Sequence, residues 1–159
     1  MPKELVDKIK KSKTFNQGYA LTEYLAAALL DMAWHTIPEG TAIPDASAFE
    51  KAALQKFDID MPQVPPRYHS TYFSHIWGGG YSAGYYAYLW AEVIDDDAYA
   101  WFEEHGGLTR ANGEKFRQDI LSRGGTMDAA EMYRHFRGHD PSVEPLLIQR
   151  GLKEAPEKQ

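Results

Sequence analysis

In the opening segment MPKELVDKIKKSK, Leu5, Val6 and Ile9 recur at helical spacing and Pro2 suits a first helical turn. Residues 2–35 therefore read as helical, with a break near Asn16–Gly18 and a second helix starting at Thr22 or just before it. The run EYLAAALLDMAWH in that helix is apolar on most sides, which calls for burial in more than a surface layer. From Thr36 to Pro66 the pattern breaks under Pro38, Gly40, Pro44, Pro62, Pro65 and Pro66. One helix is predicted there, across Ser47–Phe57, with Asp45 or Ser47 as its cap. The aromatic and hydroxyl-rich stretch PPRYHSTYFSHIW reads as extended or irregular. It leads into a predicted helix over Gly80–Val93. Asp95–Asp97 should end a turn, and Ala98–His105 should form a short helix stopped by Gly106–Gly107. Thr109–Arg123, Asp128–Arg137 and Val143–Arg150 complete the helices, each closed by glycine, the second by Pro141 as well. Alternating strand patterns are missing. The predicted fold class is all-α and multi-helical, one domain over 1–152 with a disordered tail at 153–159.

The 159 residues suffice for a real core, and 43% hydrophobic with 25% charged content is ordinary for a globular domain. The net charge of −6 and the scatter of 17 basic residues, clustered only at Lys8–Lys13, argue against a nucleic-acid partner. No apolar run approaches the length of a membrane span; the longest is Tyr24–Leu30. Cysteine is absent, which removes disulfides and thiol nucleophiles and fits a reducing compartment, so the expected location is cytoplasmic.

The chemistry concentrates in HIWGGGYSAGYYAYLW, His75 to Trp90. On a helix over Gly80–Val93, Tyr81, Tyr85, Tyr88 and Glu92 would share one face. Gly80, Ala83, Gly84, Ala87 and Ala91 would form a second stripe of small residues that lets a neighbouring backbone approach. A buried phenol needs a hydrogen-bond partner, and phenylalanine would pack as well at lower risk. Three phenols in a row thus imply a hydrogen-bonded core network or a wet cleft. Gly78-x-Gly80-x-x-x-Gly84 misses the dinucleotide fingerprint, because position 83 is alanine and no strand–helix–strand unit surrounds it. His135 and His139 have zinc-ligand spacing, but Gly138 and Pro141 end the helix between and beyond them, which reads as a solvated helix end. His69 and His75 lie in non-helical chain with no acidic partner nearby, and His35 and His105 look helix-terminal. HExxH, G-x-S-x-G and P-loop motifs do not occur in the sequence.

Taken together, TFNQGYALTEYLAAALLDMAWH, PPRYHSTYFSHIWGGGYSAGYYAYLWAEV, WFEEHGGLTRANGEKFRQDILSRGG and FRGHDPSVEPLLIQRGL resemble the C-terminal end of the thimet oligopeptidase family of zinc metallopeptidases, nearest its bacterial peptidyl-dipeptidase branch. The resemblance covers Met1 to about Leu152 and implies the C-terminal helical part of a zincin-type catalytic domain. It implies hydrolysis of short peptides by a larger protein whose zinc ligands, two of them in HExxH, precede this segment. Zinc is therefore expected in the full-length enzyme and no metal site in this chain, which alone should cleave nothing. By the same resemblance His75, Tyr81 and Tyr88 are the catalytic positions that contact the substrate carbonyl and its developing oxyanion, while Gly78, Gly79, Gly80 and Tyr85 are substrate-binding. The missing N-terminal portion is the implied structural partner, and surface along Tyr24–Trp34 and the tyrosine helix left uncovered would favour self-association or aggregation. The alternative reading is a free-standing helical peptide-binding or structural module without catalysis.

Overall fold

A computed structural model describes residues 1–155 as an all-helical chain without strands among the described residues. It divides into two compact units, 1–89 and 90–159. In the first, α1 spans Lys3–Lys13, α2 Gln17–His35, α3 Ala46–Lys56 and α4 Ser74–Trp77, with a 3₁₀ turn at Ser70–Tyr72 before α4. The helix α5, Ala87–Glu104, begins at the end of this unit and continues into the second. There α6 spans Arg110–Phe116 and runs on as a π turn, Arg117–Leu121, followed by α7 at Ala129–Arg137 and α8 at Glu144–Gln149. Of the expected tail, 156–159 lie outside the described residues, whereas Lys153 pairs with Glu144 and its amide donates to the Leu147 carbonyl at 3.2 Å.

Helix ends follow local chemistry. Asp45 caps α3 by accepting from the Ser47 and Ala48 amides at 2.9 and 3.1 Å. Asp128 does the same for α7 through Ala130 and Glu131, and Gly138, at φ +91°, closes that helix. The predicted break near Asn16–Gly18 is present, with Asn16 left-handed at φ +56°. The second helix nevertheless begins at Gln17, earlier than the expected Thr22, since Gly18 is tolerated in a first turn.

Within the first unit, Ala27 and Ala28 of α2 pack against Phe73, Ile76 and Tyr85, flanked by Tyr24, Trp34 and Tyr68. The fully enclosed Phe73 and Ile76 contribute about 1.5–3 kcal/mol each by burial. Tyr24–Trp34 is buried or half-buried throughout, whereas Tyr86, Tyr88 and Trp90 of the expected tyrosine helix are exposed. Exposed apolar side chains lie also on Leu5 and Ile9 of α1, which buries no residue, and on Phe15.

Two expected boundaries move. Residues 81–86 form turns rather than helix, with Ala83 at φ +54°, so the helix predicted at Gly80–Val93 starts only at Ala87. The expected stop at Asp95–Asp97 does not occur, and α5 runs through it. Asp97 is fully buried and accepts from the Tyr133 hydroxyl at 2.8 Å, Arg137 Nε at 3.1 Å and the Ser142 amide at 3.3 Å. Arg137 also holds Glu104 through Nη1 and Nη2 at 2.6 and 2.8 Å. Beside this network Trp101, Phe102 and Phe136 form the core of the second unit, with Phe116 and Ile120 against them. Burial, then the bond to Asp97, pushes the Tyr133 phenol far above its ordinary value. Asp97→Ala should therefore destabilise the second unit by roughly 3 kcal/mol, because the Tyr133 hydroxyl and Arg137 Nε lose their buried carboxylate while Glu104 still holds the rest of the guanidinium. A denaturant titration following the fluorescence of buried Trp101 checks this.

Candidate active site

Between α3 and the glycine run, the chain is fixed by one buried carboxylate. Glu50 accepts from the Ser70 amide at 2.7 Å and the Ser70 hydroxyl at 2.8 Å, and lies 2.5 Å from His69 Nδ1. Burial drives its pKa upward, but the Ser70 amide, His69 and the Ser70 hydroxyl outweigh this and hold it below the ordinary carboxylate value. His69, expected to have no acidic partner, is thus paired with one brought from 19 residues away. Trp34 donates to Ser70 Oγ at 2.9 Å and Trp77 to the Ser70 carbonyl at 2.7 Å, so the residue just before the glycines is anchored at its ring.

The glycines close α4. The Gly78 and Gly79 amides both donate to the Ser74 carbonyl, at 3.0 and 2.9 Å, and the Tyr81 amide donates to the His75 carbonyl at 3.0 Å. Gly79 has no room for a side chain, since a Cβ would lie 2.9 Å from His75 Cα and 3.0 Å from its carbonyl oxygen. Gly80 needs its φ of +81°. Gly78 meets neither restriction.

A concavity of about 490 Å³ opens here, lined by Ser74, His75, Trp77, Gly78, Gly79 and Tyr81. Tyr81 stacks on Tyr88 with ring centroids 5.1 Å apart and planes at 25°, and the His75 ring lies 6.1 Å from that of Tyr81. His75, Tyr81 and Tyr88 therefore form one group, although the helix expected to align the tyrosines is absent. Tyr88 is 45% exposed, and its phenol is held above its ordinary value first by its hydrogen bond with Tyr81. Each phenol carries an O–H that can act as a hydrogen-bond donor.

Tyr85 differs. Only 4% exposed, it packs edge-on against Phe73 at 4.8 Å and does not line the concavity. The His75 ring leans on Tyr68 at 4.9 Å and Tyr85 at 5.5 Å, and its Nδ1 is buried without a partner. No three His, Asp or Glu side chains converge to hold a cation among the described residues, so the zinc implied by the resemblance finds no ligand set here. His139 Nδ1 lies 2.6 Å from the Asp140 carbonyl beyond the Gly138 cap, a helix end. His35 and His105 place Nδ1 at 2.9 and 2.8 Å from the carbonyls four residues earlier, as helix-terminal histidines do.

Sequence reasoning missed Asp31. This residue of α2 is fully buried; Oδ1 accepts from the Ala83 amide and Oδ2 from the Tyr85 amide, both at 2.9 Å. His35 Nδ1 lies 2.8 Å from Oδ1. The available signal was a lone charge inside AAALLDMAW, which an apolar helix tolerates only with a partner.

Residues 1–152 match the family described as Peptidase family M3, and the chain belongs to it. It is 52% identical over 152 residues to the dipeptidyl carboxypeptidase of Salmonella typhimurium and 53% identical over 152 residues to that of Escherichia coli. Each match covers 96% of this chain and 22% of the relative. Oligopeptidase A of Escherichia coli is 35% identical over 156 residues, again 96% of this chain and 22% of that protein. The chain thus spans about a fifth of the length of the curated relatives it matches.

Two outcomes follow from this geometry. Gly79→Ala should cost about 1–3 kcal/mol, because the new methyl meets rigid backbone, whereas Gly78→Ala should stay within about 0.5 kcal/mol; thermal melts of the two variants decide it. Burial, then Tyr68 and Tyr24, raises the Tyr85 pKa from 10.0 to about 12. An unfolded phenol ionises near 10.0, so this contribution to stability is complete below that pH and is lost as pH rises through about 12. Ultraviolet titration of the folded chain should show a late-ionising phenol that Tyr85→Phe removes.

Proposed function

We propose that this chain supplies the substrate-contacting wall of a peptidyl-dipeptidase that releases dipeptides from the C-termini of short peptides. The observation that carries the reading is the concavity where His75, Gly78, Gly79 and Tyr81 meet, with Tyr88 stacked on Tyr81 at its side. Membership of the M3 family and the likeness to two dipeptidyl carboxypeptidases support the reading of the reaction as peptide hydrolysis.

In this reading a peptide lies along the bare backbone of Gly78 and Gly79, where no side chain holds it off. Tyr88 and His75 donate hydrogen bonds to the carbonyl oxygen of the bond being cleaved. Tyr81 orients the Tyr88 ring by stacking on it, with centroids 5.1 Å apart. These bonds strengthen as the carbonyl carbon becomes tetrahedral and its oxygen gains charge, so they lower the barrier more than they tighten ground-state binding. Tyr85 supports the ring of His75 from the core rather than touching the peptide. Residues outside this chain hold the zinc that activates the nucleophile, and the remainder of the peptidase covers the exposed apolar side chains of α1. This chain alone binds no catalytic zinc and turns nothing over.

In the peptidase that carries this chain, Tyr88→Phe should lower kcat by about 10²-fold with KM changed less than about threefold. Steady-state kinetics on a peptide with a free C-terminus measures both. A variant with raised KM and unchanged kcat would remove Tyr88 from its role at the oxyanion.

A further inference from the structure

Tyr81 and Tyr88 are seven residues apart and would not meet in an arbitrary turn. Their stacking is set by residues 81–86, a segment tied at its start to α4 by the Tyr81 amide on the His75 carbonyl at 3.0 Å and Ser82 Oγ on the Ile76 carbonyl at 2.6 Å. The Gly84 amide reaches the Tyr81 carbonyl at 2.8 Å and the Ala87 amide the Gly84 carbonyl at 3.1 Å. The Ala83 and Tyr85 amides donate instead to a side chain 52 and 54 residues back, and Ala83 itself adopts φ +54°. An L-residue gains nothing from that conformation by itself. Alternate amides around a left-handed residue form a concave anion site, and here the anion is the Asp31 carboxylate.

The fit is reciprocal. Asp31 is fully buried within an apolar helix, where an unpaired carboxylate would be severely penalised. Its oxygens are met by two amides from residues 52 and 54 positions away and by His35 Nδ1 one helical turn on. The same helix holds the turn a second time, because the Tyr24 hydroxyl donates to the Tyr85 carbonyl at 2.5 Å. Tyr24 and Asp31 are seven residues apart, two turns along one face of α2, so a single rigid helix grips both an acceptor and two donors of the turn.

We infer that Asp31 is a positioning residue for the phenol pair: its carboxylate sets the turn that brings Tyr81 onto Tyr88 and aims them at the concavity. This rests on the assignment of those phenols to the substrate carbonyl. The role is indirect, since Asp31 is enclosed and reaches no ligand. Misplacing a donor by about 1 Å costs up to about 10²-fold in rate, so a residue that fixes the turn acts on kcat without touching peptide.

Asp31→Asn is the test, because the amide keeps the shape but presents an NH2 where one backbone donor now finds an oxygen. In this chain the variant should retain its helical circular dichroism, while amide exchange at Ala83 and Tyr85 accelerates at least about tenfold relative to Leu30 on the same helix. In the peptidase that carries the chain, kcat should fall about tenfold or more with KM within about threefold. Unchanged exchange at both amides would overturn the inference, and so would faster exchange with kcat intact, provided Tyr88→Phe does lower kcat. If Tyr88→Phe is itself silent, the catalytic reading of the phenols fails, and the exchange data still decide whether Asp31 sets the turn. Should Asp31→Asn not fold, Tyr24→Phe releases the same turn more gently. It should shift the ring resonances of Tyr81 and Tyr88 and lower kcat with KM retained; neither change occurring would also overturn the inference.

Discussion

The cost of burying a carboxylate organises both units. Asp31 and Asp97 are each fully enclosed in a mostly apolar helix, and each must be repaid by donors brought from far along the chain. For Asp31 the donors are the backbone of a turn and a histidine; for Asp97 they are a phenol, a guanidinium and an amide. Such a group is satisfied in one arrangement and destabilising in nearly every other. The carboxylates therefore act less as sources of stability than as selectors of geometry. In the first unit, the geometry selected is that of the turn that begins at Tyr81 and leads into α5, where Tyr88 stands.

Glu50 extends the same logic toward the glycines. It ties His69 and Ser70 to α3, and Ser70 in turn receives the indoles of Trp34 and Trp77. The short α4 is thus pinned at its far end before the chain enters Gly78–Gly80. From the other side Asp31 pins the segment that leaves the glycines. The candidate site is a short helix, a glycine run and a turn held between two buried acids, with Tyr88 carried on the first turn of α5. The aromatic packing of Tyr68, Phe73 and Tyr85 fills the space below and fixes the His75 ring.

Membership of the M3 family gives the irregular stretch its chemical sense. Bare glycine backbone, an imidazole and two phenolic hydroxyls lie together there, and on these groups the proposed contact with a peptide carbonyl rests. Within the family match, the chain spans about a fifth of the length of its curated relatives.

Much was legible from the residues in order. Hydrophobic spacing and capping residues placed α3, α7 and α8 because caps and glycine stops act within one turn of chain: Asp45, Asp128 and Gly138 do what their types dictate. The composition and the HIWGGGYSAGYYAYLW stretch located the candidate site. Helical spacing also brought Tyr81 and Tyr88 together, but for a reason the structure replaces. The turn at 81–86, the passage of α5 through Asp95–Asp97 and the pairing of His69 all depend on partners 19 to 54 residues distant. Local propensity reads Ala-Gly-Tyr-Tyr as helix and three aspartates as a stop. Only the folded chain decides otherwise, because a buried charge answers to whatever donors tertiary packing brings to it, and spacing along one segment carries no record of them.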